Sequence, residues 1–217
     1  INENRKCHII TIEDPIEYLF TDNKSFVNQR EIGIDVDSFR TALKYVVRQN
    51  PDVILIGEMR DGESVEAGLM AAETGHLVLG TIHASSAAQT LSRILDFFPA
   101  ERQDLIRQTL VFNLKGIICQ KLVPSSKKEL GVVPTVEIML TNPSIQKLIQ
   151  MKEDKKITEV MRSATDEGMQ DFNLSLLQLI KKGLTTKEIA LEYSPNPEQL
   201  KMHLQGIFLS EERKIIG

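Results

Sequence analysis

Acidic residues and a histidine follow the three most apolar runs in the first part of the sequence. The runs are 8–12, 53–56 and 76–82. The reactive residues that follow them are, in chain order, Glu13, Asp14, Glu17, Glu58 and His83. Carboxylates can hold Mg²⁺ through their oxygens, and near a triphosphate they can orient the attacking water. A transition-metal site is disfavoured because neither a His-x-x-x-His pattern nor a cysteine pair is present.

The elements that must position these residues alternate between strand and helix. Strands are predicted over 8–12, 52–57 and 76–82, and helices from Ser38, over 63–73, from Ser85 or Ser86 and over 101–114. The strands are apolar throughout, which predicts a mostly parallel sheet covered on both faces. Ligands bind outside the carboxyl ends of such strands, so the acids and His83 should converge on one crevice.

A change in pattern near Thr141 divides the chain. Two further strands are predicted within 116–123 and 132–139, and the segments beyond them are helical patterns separated by proline or glycine. The predicted organisation is therefore an α/β core over 1–140 and a small helical domain over 141–217.

Composition narrows the class of protein. The chain has 217 residues and a formal net charge of -4, which argues against a nucleic-acid partner. It contains no apolar run of the ~20 residues that a membrane span needs, so membrane contact is expected only through partners. Cys7 and Cys119 are predicted to be buried, reduced thiols of a cytosolic protein.

Five segments together resemble the secretion-superfamily ATPases, the hexameric motors of type IV pili and type II secretion. They are "TIEDPIEY", "NQREIG", "NPDVILIGEMRD", "AAETGHLVLGTIHASSAAQTLSRILDFFP" and "ICQKLVP". The first is similar to that family's Asp box, the third to its atypical Walker B motif and the fourth to its His box. The resemblance covers residues 8 to about 140 and implies a RecA-like P-loop NTPase core.

Within this family the chain looks closest to the pilus retraction motors of twitching motility. Extension and secretion members usually carry a four-cysteine zinc insert, where this chain has only "SSKKELGVV". The segments "NPSIQKLIQMKEDKKI" and "EGMQDFNLSLLQLIKKG" resemble the helical region of the retraction motors, although the first departs from the family's helix sequence. The implied function is to couple ATP hydrolysis to pilus disassembly.

The resemblance assigns roles to individual residues. Glu58 matches the Walker B glutamate, which polarises the attacking water or supports Mg²⁺. The Asp-box acids Glu13, Asp14 and Glu17 share that work. His83 matches the histidine that senses the γ-phosphate side of the site, and His76 is its companion.

The resemblance also implies contacts between subunits and with partners. Family members place arginines of one subunit against the nucleotide of the next, and Arg30, Arg48 and Arg60 are the candidates here. The implied cofactors are ATP and Mg²⁺, the latter near Glu13 and Glu58. The implied assembly is a cytoplasmic homo-hexamer, peripheral to the inner membrane and docked on a pilus platform protein.

One expected motif is missing from these 217 residues. A P-loop, G-x-x-x-x-G-K-[ST], cradles phosphates with backbone amides and a lysine, and the sequence contains none. In the family it precedes the Asp box, so it would lie before Ile1. We therefore expect an unpaired sheet edge, and expect that the chain alone neither binds ATP tightly nor hydrolyses it.

Other readings stay open at this point. The protein could be a non-catalytic partner or regulatory module that retains the core, or a related ATPase for conjugation or DNA uptake. Individual residues also have purely structural explanations. Glu58 could cap the next helix or pair with Arg60, His76 could be a hydrogen-bonded strand residue, and the arginines could form surface ion pairs.

Overall fold

The computed structural model describes residues 1–207. The strands are β1 (His8–Glu13), β2 (Phe26–Glu31), β3 (Val53–Ile56), β4 (Leu77–Gly80), β5 (Gly116–Pro124) and β6 (Val132–Leu140). The helices are α1 (Phe39–Val46), α2 (Gly62–Glu73), α3 (Ala87–Asp96), α4 (Ala100–Asn113), α5 (Pro143–Gln150), α6 (Ile157–Ser163), α7 (Phe172–Lys181), α8 (Lys187–Tyr193) and α9 (Pro197–Leu204). Its described residues divide into two compact units, the first containing 1–83 and 92–114 and the second containing 84–91 and 115–207.

The first unit contains a four-stranded parallel sheet in the order β2-β1-β3-β4. The three strands predicted from apolar runs are confirmed as β1, β3 and β4. Sequence analysis missed β2, because Asn28, Gln29 and Arg30 give it a polar centre. Its residues pair in parallel with β1, which places Arg30 beside Ile12 and Glu31 beside Glu13.

The helices α1 and α2 cover one face of this sheet. That face supplies the buried residues Ile10, Ile12, Ile54 and Ile56, which form one core with Ala42, Leu43, Val46 and Ala71. On the opposite face of β4, Leu77 and Leu79 remain 37% and 41% exposed. Within residues 1–207, the prediction of a sheet covered on both faces is therefore wrong at β4.

The ends of α1 and α2 follow their capping residues. Ser38 Oγ accepts a hydrogen bond from Thr41 N–H at 3.2 Å, as predicted for the residue that begins α1. Asp61 caps α2 in the same way through Ser64 N–H at 2.7 Å. Beyond α2, Gly75 has φ of 96°, a conformation that favours glycine where a helix ends.

The second unit is built on an antiparallel pair, β5 and β6, in which Gly116 lies opposite Leu140. Its inward residues Val123 and Val133 pack with Leu176 and Leu177 of α7. The hairpin thus groups with the helices, and the chain last passes between units after Leu114, earlier than the predicted boundary at residue 140. The assignment of domains to 1–140 and 141–217 stays a prediction.

Two further expectations concern thiols and membranes. Both cysteines are free, but only Cys119 is buried and Cys7 is half-buried. Among residues 1–207, every helix is too short or too polar to span a bilayer.

Candidate functional site

The carboxyl ends of β1, β3 and β4 lie at one edge of the parallel sheet. Glu13 ends β1, while Glu58 and His83 follow β3 and β4. Gly57 brings the first two strand ends close, because its N–H donates to Ile12 O at 2.7 Å. A Cβ at this position would lie only 3.1 Å from Glu13 Cα, so a larger residue would force β1 and β3 apart.

Glu58 is the centre of a charged cluster. Its Oε1 lies 3.0 Å from His83 Nε2, and its Oε2 accepts a hydrogen bond from Arg60 Nε at 2.6 Å. Arg60 also lies 3.9 Å from Asp14 Oδ2. The structure therefore brings together four of the predicted site residues.

The electrostatics of the cluster keep Glu58 ionised. The hydrogen bond from Arg60 is the main cause that lowers the pKa of the Glu58 carboxyl, and His83 contributes in the same direction. The same ion pair raises the pKa of the Arg60 guanidinium. An ionised carboxylate can accept a proton from water or approach a cation, provided that one of its present partners gives way.

Glu13 is held beside this cluster by neutral donors. It is buried, and its Oε1 accepts hydrogen bonds from Thr11 Oγ1 at 2.6 Å and from Gln29 Nε2 at 3.0 Å. Gln29 also donates to Tyr18 O at 2.7 Å, which ties the loop after β1 to β2. Glu17 lies exposed in that loop, and its predicted role stays a prediction.

His76 and two of the candidate arginines lie away from the Glu58 cluster. His76 precedes β4, at the opposite end of the strand from His83, and its Nδ1 lies 3.0 Å from Ala71 O at the end of α2. Arg30 Nη2 donates to Gln49 Oε1 at 3.0 Å, and Arg48 is exposed beyond α1. Of the three arginines only Arg60 joins the cluster, and the nucleotide-binding or inter-subunit roles of all three stay predictions.

Sequence analysis missed the residues that hold the site in place. Gln29 lies in the quoted "NQREIG" segment. Because the sequence does not predict β2, it does not show that the Gln29 side chain points toward Glu13. Met59 lies against Gly68 and Gly80, where a Cβ at Gly80 would fall 3.0 Å from the Met59 sulfur. The Met59 N–H donates to Thr81 O at 2.9 Å. The two glycines, Gly68 and Gly80, are the feature of the sequence from which this close packing could be inferred.

The donor set is compatible with Mg²⁺ when other ligands are supplied. Residues 1–207 contain no group of three or more histidine, cysteine or acidic side chains that could hold a metal ion by themselves. Mg²⁺ in nucleotide sites is usually held by one or two carboxylates together with phosphates and water. Glu58 and Glu13, at the carboxyl ends of β3 and β1, are the carboxylates that fit that role.

Comparison with known proteins identifies relatives over most of the chain. Residues 1–193 match the family model described as "Type II/IV secretion system protein". The type IV pilus ATPase PilU of Pseudomonas aeruginosa is 42% identical over 204 residues, which cover 94% of this chain and 53% of PilU. A twitching motility protein of Neisseria gonorrhoeae is 42% identical over 200 residues, which cover 92% of this chain and 53% of that protein.

A solved structure agrees with the fold. The crystal structure of the pilus retraction motor PilT with bound ADP superposes with a TM-score of 0.82 at 46% identity, over 92% of this chain and 56% of that one. This agreement confirms the expected α/β fold with a RecA-like core. The chain spans only about half the length of the curated relatives that it matches.

Proposed function

We propose that this chain, which belongs to the type II/IV secretion system protein family, forms the catalytic part of a pilus retraction ATPase. Hydrolysis of ATP would drive pilus disassembly and twitching motility. The single observation that carries the proposal is the Glu58 cluster, an ionised carboxylate between His83 and Arg60 at the end of β3. The similarity to PilU and PilT supports the retraction role.

The proposed chemistry is attack of water on the γ-phosphorus of ATP. Glu58 orients the water and accepts its proton, while the bond from the γ-phosphorus to the β,γ-bridging oxygen breaks and releases ADP and phosphate. His83 Nε2 lies 3.0 Å from Glu58 Oε1. In the proposed mechanism His83 keeps this contact or exchanges it for the γ-phosphate, depending on whether that phosphate is present. Bound Mg²⁺ would neutralise phosphate charge, and Arg60 could exchange Glu58 for a phosphate oxygen.

The surroundings expected for this ATPase are part of the proposal. ATP and Mg²⁺ are its expected cofactors, and the ADP in the PilT structure supports nucleotide binding. The proposed assembly is a cytoplasmic homo-hexamer on an inner-membrane pilus platform protein. His76, Arg30, Arg48 and Arg60 are proposed for the nucleotide or the subunit interface, as the resemblance to the family implies.

The test compares ATP turnover by the 217-residue chain with turnover by the longest protein that its gene encodes. We expect turnover only from a protein that includes a P-loop, because the 217 residues contain none. Glu58→Gln should lower kcat by a factor of about 100 or more, the usual contribution of a general base. Glu63→Gln is the matched control, because this exposed acid pairs with Arg40 and lies outside the cluster.

Two results would contradict these expectations. Turnover by the 217-residue chain that Glu58→Gln abolishes would keep the ATPase but overturn the requirement for a P-loop. A longer protein that does not hydrolyse ATP would instead favour a non-catalytic partner with the same core.

A further inference from the structure

Three polar side chains of β1 and β2 meet on one face of the parallel sheet. Thr11 and Glu13 lie two residues apart in β1, so they point to the same face, and Gln29 of β2 pairs with Thr11. Thr11 is 1% and Glu13 8% exposed. Glu13 accepts hydrogen bonds from Thr11 Oγ1 and Gln29 Nε2, and both bonds end on the same oxygen, Oε1. The other oxygen, Oε2, is left for further partners.

The side-chain amide of Gln29 also holds the loop that follows β1. Its Nε2 donates to Tyr18 O at 2.7 Å, and its Oε1 accepts a hydrogen bond from Phe20 N–H at 2.7 Å. Because a backbone N–H can only donate, the Phe20 contact requires the oxygen of the amide on its side. The NH₂ group is therefore directed toward Glu13, and an amide turned the other way would place an oxygen against the carboxylate.

The loop held in this way carries another member of the Glu58 cluster. It begins with Asp14, which lies 3.9 Å from Arg60. Glu31 is two residues beyond Gln29 on the same face of β2, and its Oε2 accepts a hydrogen bond from Ile16 N–H at 3.1 Å. The strand β2 thus holds the loop through two of its polar side chains, which serve the site rather than the apolar core.

We propose that Gln29 is a positioning residue for Glu13. Its N–H holds Oε1 and so fixes the rotation of the carboxylate, which leaves Oε2 as the oxygen for Mg²⁺ or water. Its bonds to Tyr18 and Phe20 keep the amide itself from turning. The catalytic consequence rests on the proposed function, whereas the hydrogen-bonded arrangement does not.

Two variants of the 217-residue chain separate the two tasks of this amide. Gln29→Leu removes every bond of the side chain, so exchange of the Phe20 amide with solvent should become about tenfold faster. The Glu13 side chain should then sample several rotamers, which NMR detects as averaged three-bond couplings. Gln29→Glu keeps an oxygen for Phe20 N–H but has no N–H for Glu13. It should retain most of the Phe20 protection and still release Glu13.

Asn28→Leu is the matched control for these measurements. Asn28 is the neighbouring amide of β2 on the opposite face, and its Oδ1 lies 2.8 Å from His8 Nε2. This variant should leave both the Phe20 exchange rate and the Glu13 couplings unchanged. The proposal is overturned if Phe20 is unprotected in the parent chain, or if Glu13 keeps a single rotamer in both Gln29 variants.

Kinetics of the longer protein separate this proposal from the proposed ATPase. Both Gln29 variants should lower kcat about tenfold or more with little change in KM for ATP, because Glu13 is proposed to act in the chemical step. A parental kcat in Gln29→Glu would show that holding the loop is enough, and would overturn the positioning of Glu13. If the parent protein itself does not hydrolyse ATP, the proposed function fails, and the exchange and coupling data still decide whether Gln29 positions Glu13.

Discussion

Glu58 and Glu137 carry the same side chain, yet their surroundings move their pKa values in opposite directions. Glu58 accepts a hydrogen bond from Arg60, which favours its ionised form. Glu137 is buried, which favours its neutral form. The first environment suits a carboxylate that must be charged before it acts, and the second suits a fixed acceptor inside the protein.

The role of Arg60 in ionising Glu58 can be measured directly. We expect Arg60→Gln to raise the pKa of Glu58 toward its ordinary value of 4.5, because the arginine is the main cause of the lowering. His83→Gln should raise it less. An NMR titration of the Glu58 carboxyl checks both, with Arg48→Gln as a control outside the cluster.

Arg60→Gln should also change how the free energy of unfolding depends on pH. A carboxyl with a lowered pKa in the folded state stabilises the fold above its unfolded pKa, and that contribution disappears as the pH falls through the folded pKa. Arg60→Gln should therefore reduce the acid dependence of unfolding below about pH 4.5. An unchanged Glu58 titration in Arg60→Gln would contradict the ion pair seen in the structure.

Glu137 should give the opposite pH dependence. Its raised pKa means that the folded state binds the proton more tightly than the unfolded state. The free energy of unfolding should therefore fall as the pH rises from about 4.5 through the folded pKa. Glu137→Gln should remove this fall, so its stability relative to the parent chain should improve with rising pH.

Chemical denaturation at a series of pH values checks the prediction for Glu137. The acid-to-amide control is Glu63→Gln on the exposed surface of α2. If Glu137→Gln and the parent chain keep a constant difference in stability across this range, the carboxyl does not titrate as its burial requires.

At the scale of elements, Met59 packs against Gly80 beside the turn that carries Glu58. A methyl group at Gly80 would collide with the end of the Met59 side chain, which is flexible and can move aside. We therefore expect Gly80→Ala to destabilise the fold by about 1 kcal/mol, the low end of the usual cost of overpacking.

The double variant Met59→Ala/Gly80→Ala tests whether space is the cause. Removing the methionine side chain should make the alanine at position 80 nearly neutral, so the two changes should be strongly non-additive. Denaturation midpoints of the single and double variants give this coupling. Additive effects would show that Gly80 matters for another reason.

The same scale shows what could be predicted from the sequence. Apolar runs identified β1, β3 and β4, and the acids at their ends identified Glu58 and His83 as neighbours. The polar centre of β2 concealed both that strand and Gln29, the partner of Glu13. The strand predicted over 76–82 already separates His76 from His83, and in the structure the two lie at opposite ends of β4.

At the scale of the whole molecule, the sheet has an incomplete covering within residues 1–207. The strand β4 has β3 as its one neighbour in the described part of the chain, and Leu77 and Leu79 are exposed beside that edge. An open edge with apolar side chains favours association between copies. In the described residues β2 also has only one neighbour, β1, so the expectation that a missing P-loop strand leaves an edge unpaired stays a prediction.

We expect the 217-residue chain to self-associate as its concentration rises, and Leu79→Lys to reduce that association. Lysine places a charge beside the open edge, which disfavours strand pairing. Leu105→Lys is the matched control, because Leu105 is an exposed leucine on α4 rather than on the sheet. Sedimentation velocity measures the difference, and equal behaviour of the two variants would exclude the sheet as the cause.

The division of the chain was the least predictable feature at this scale. The helical periodicity beyond residue 140 can be read from the sequence, but the packing of β5 and β6 on α7 cannot. Apolar residues such as Val123 and Val133 predict a buried strand without indicating which partner buries it. Long-range pairing of this kind follows from three-dimensional packing rather than from local pattern.

Met59 packs against Gly68 and Gly80, next in sequence to Glu58 and Arg60, and it is half-buried rather than fully enclosed. Oxidation of its thioether to a sulfoxide would turn a flexible apolar side chain into a polar one at this point. We expect the oxidised side chain to turn away from the two glycines toward water, and reduction by methionine sulfoxide reductase to reverse the change.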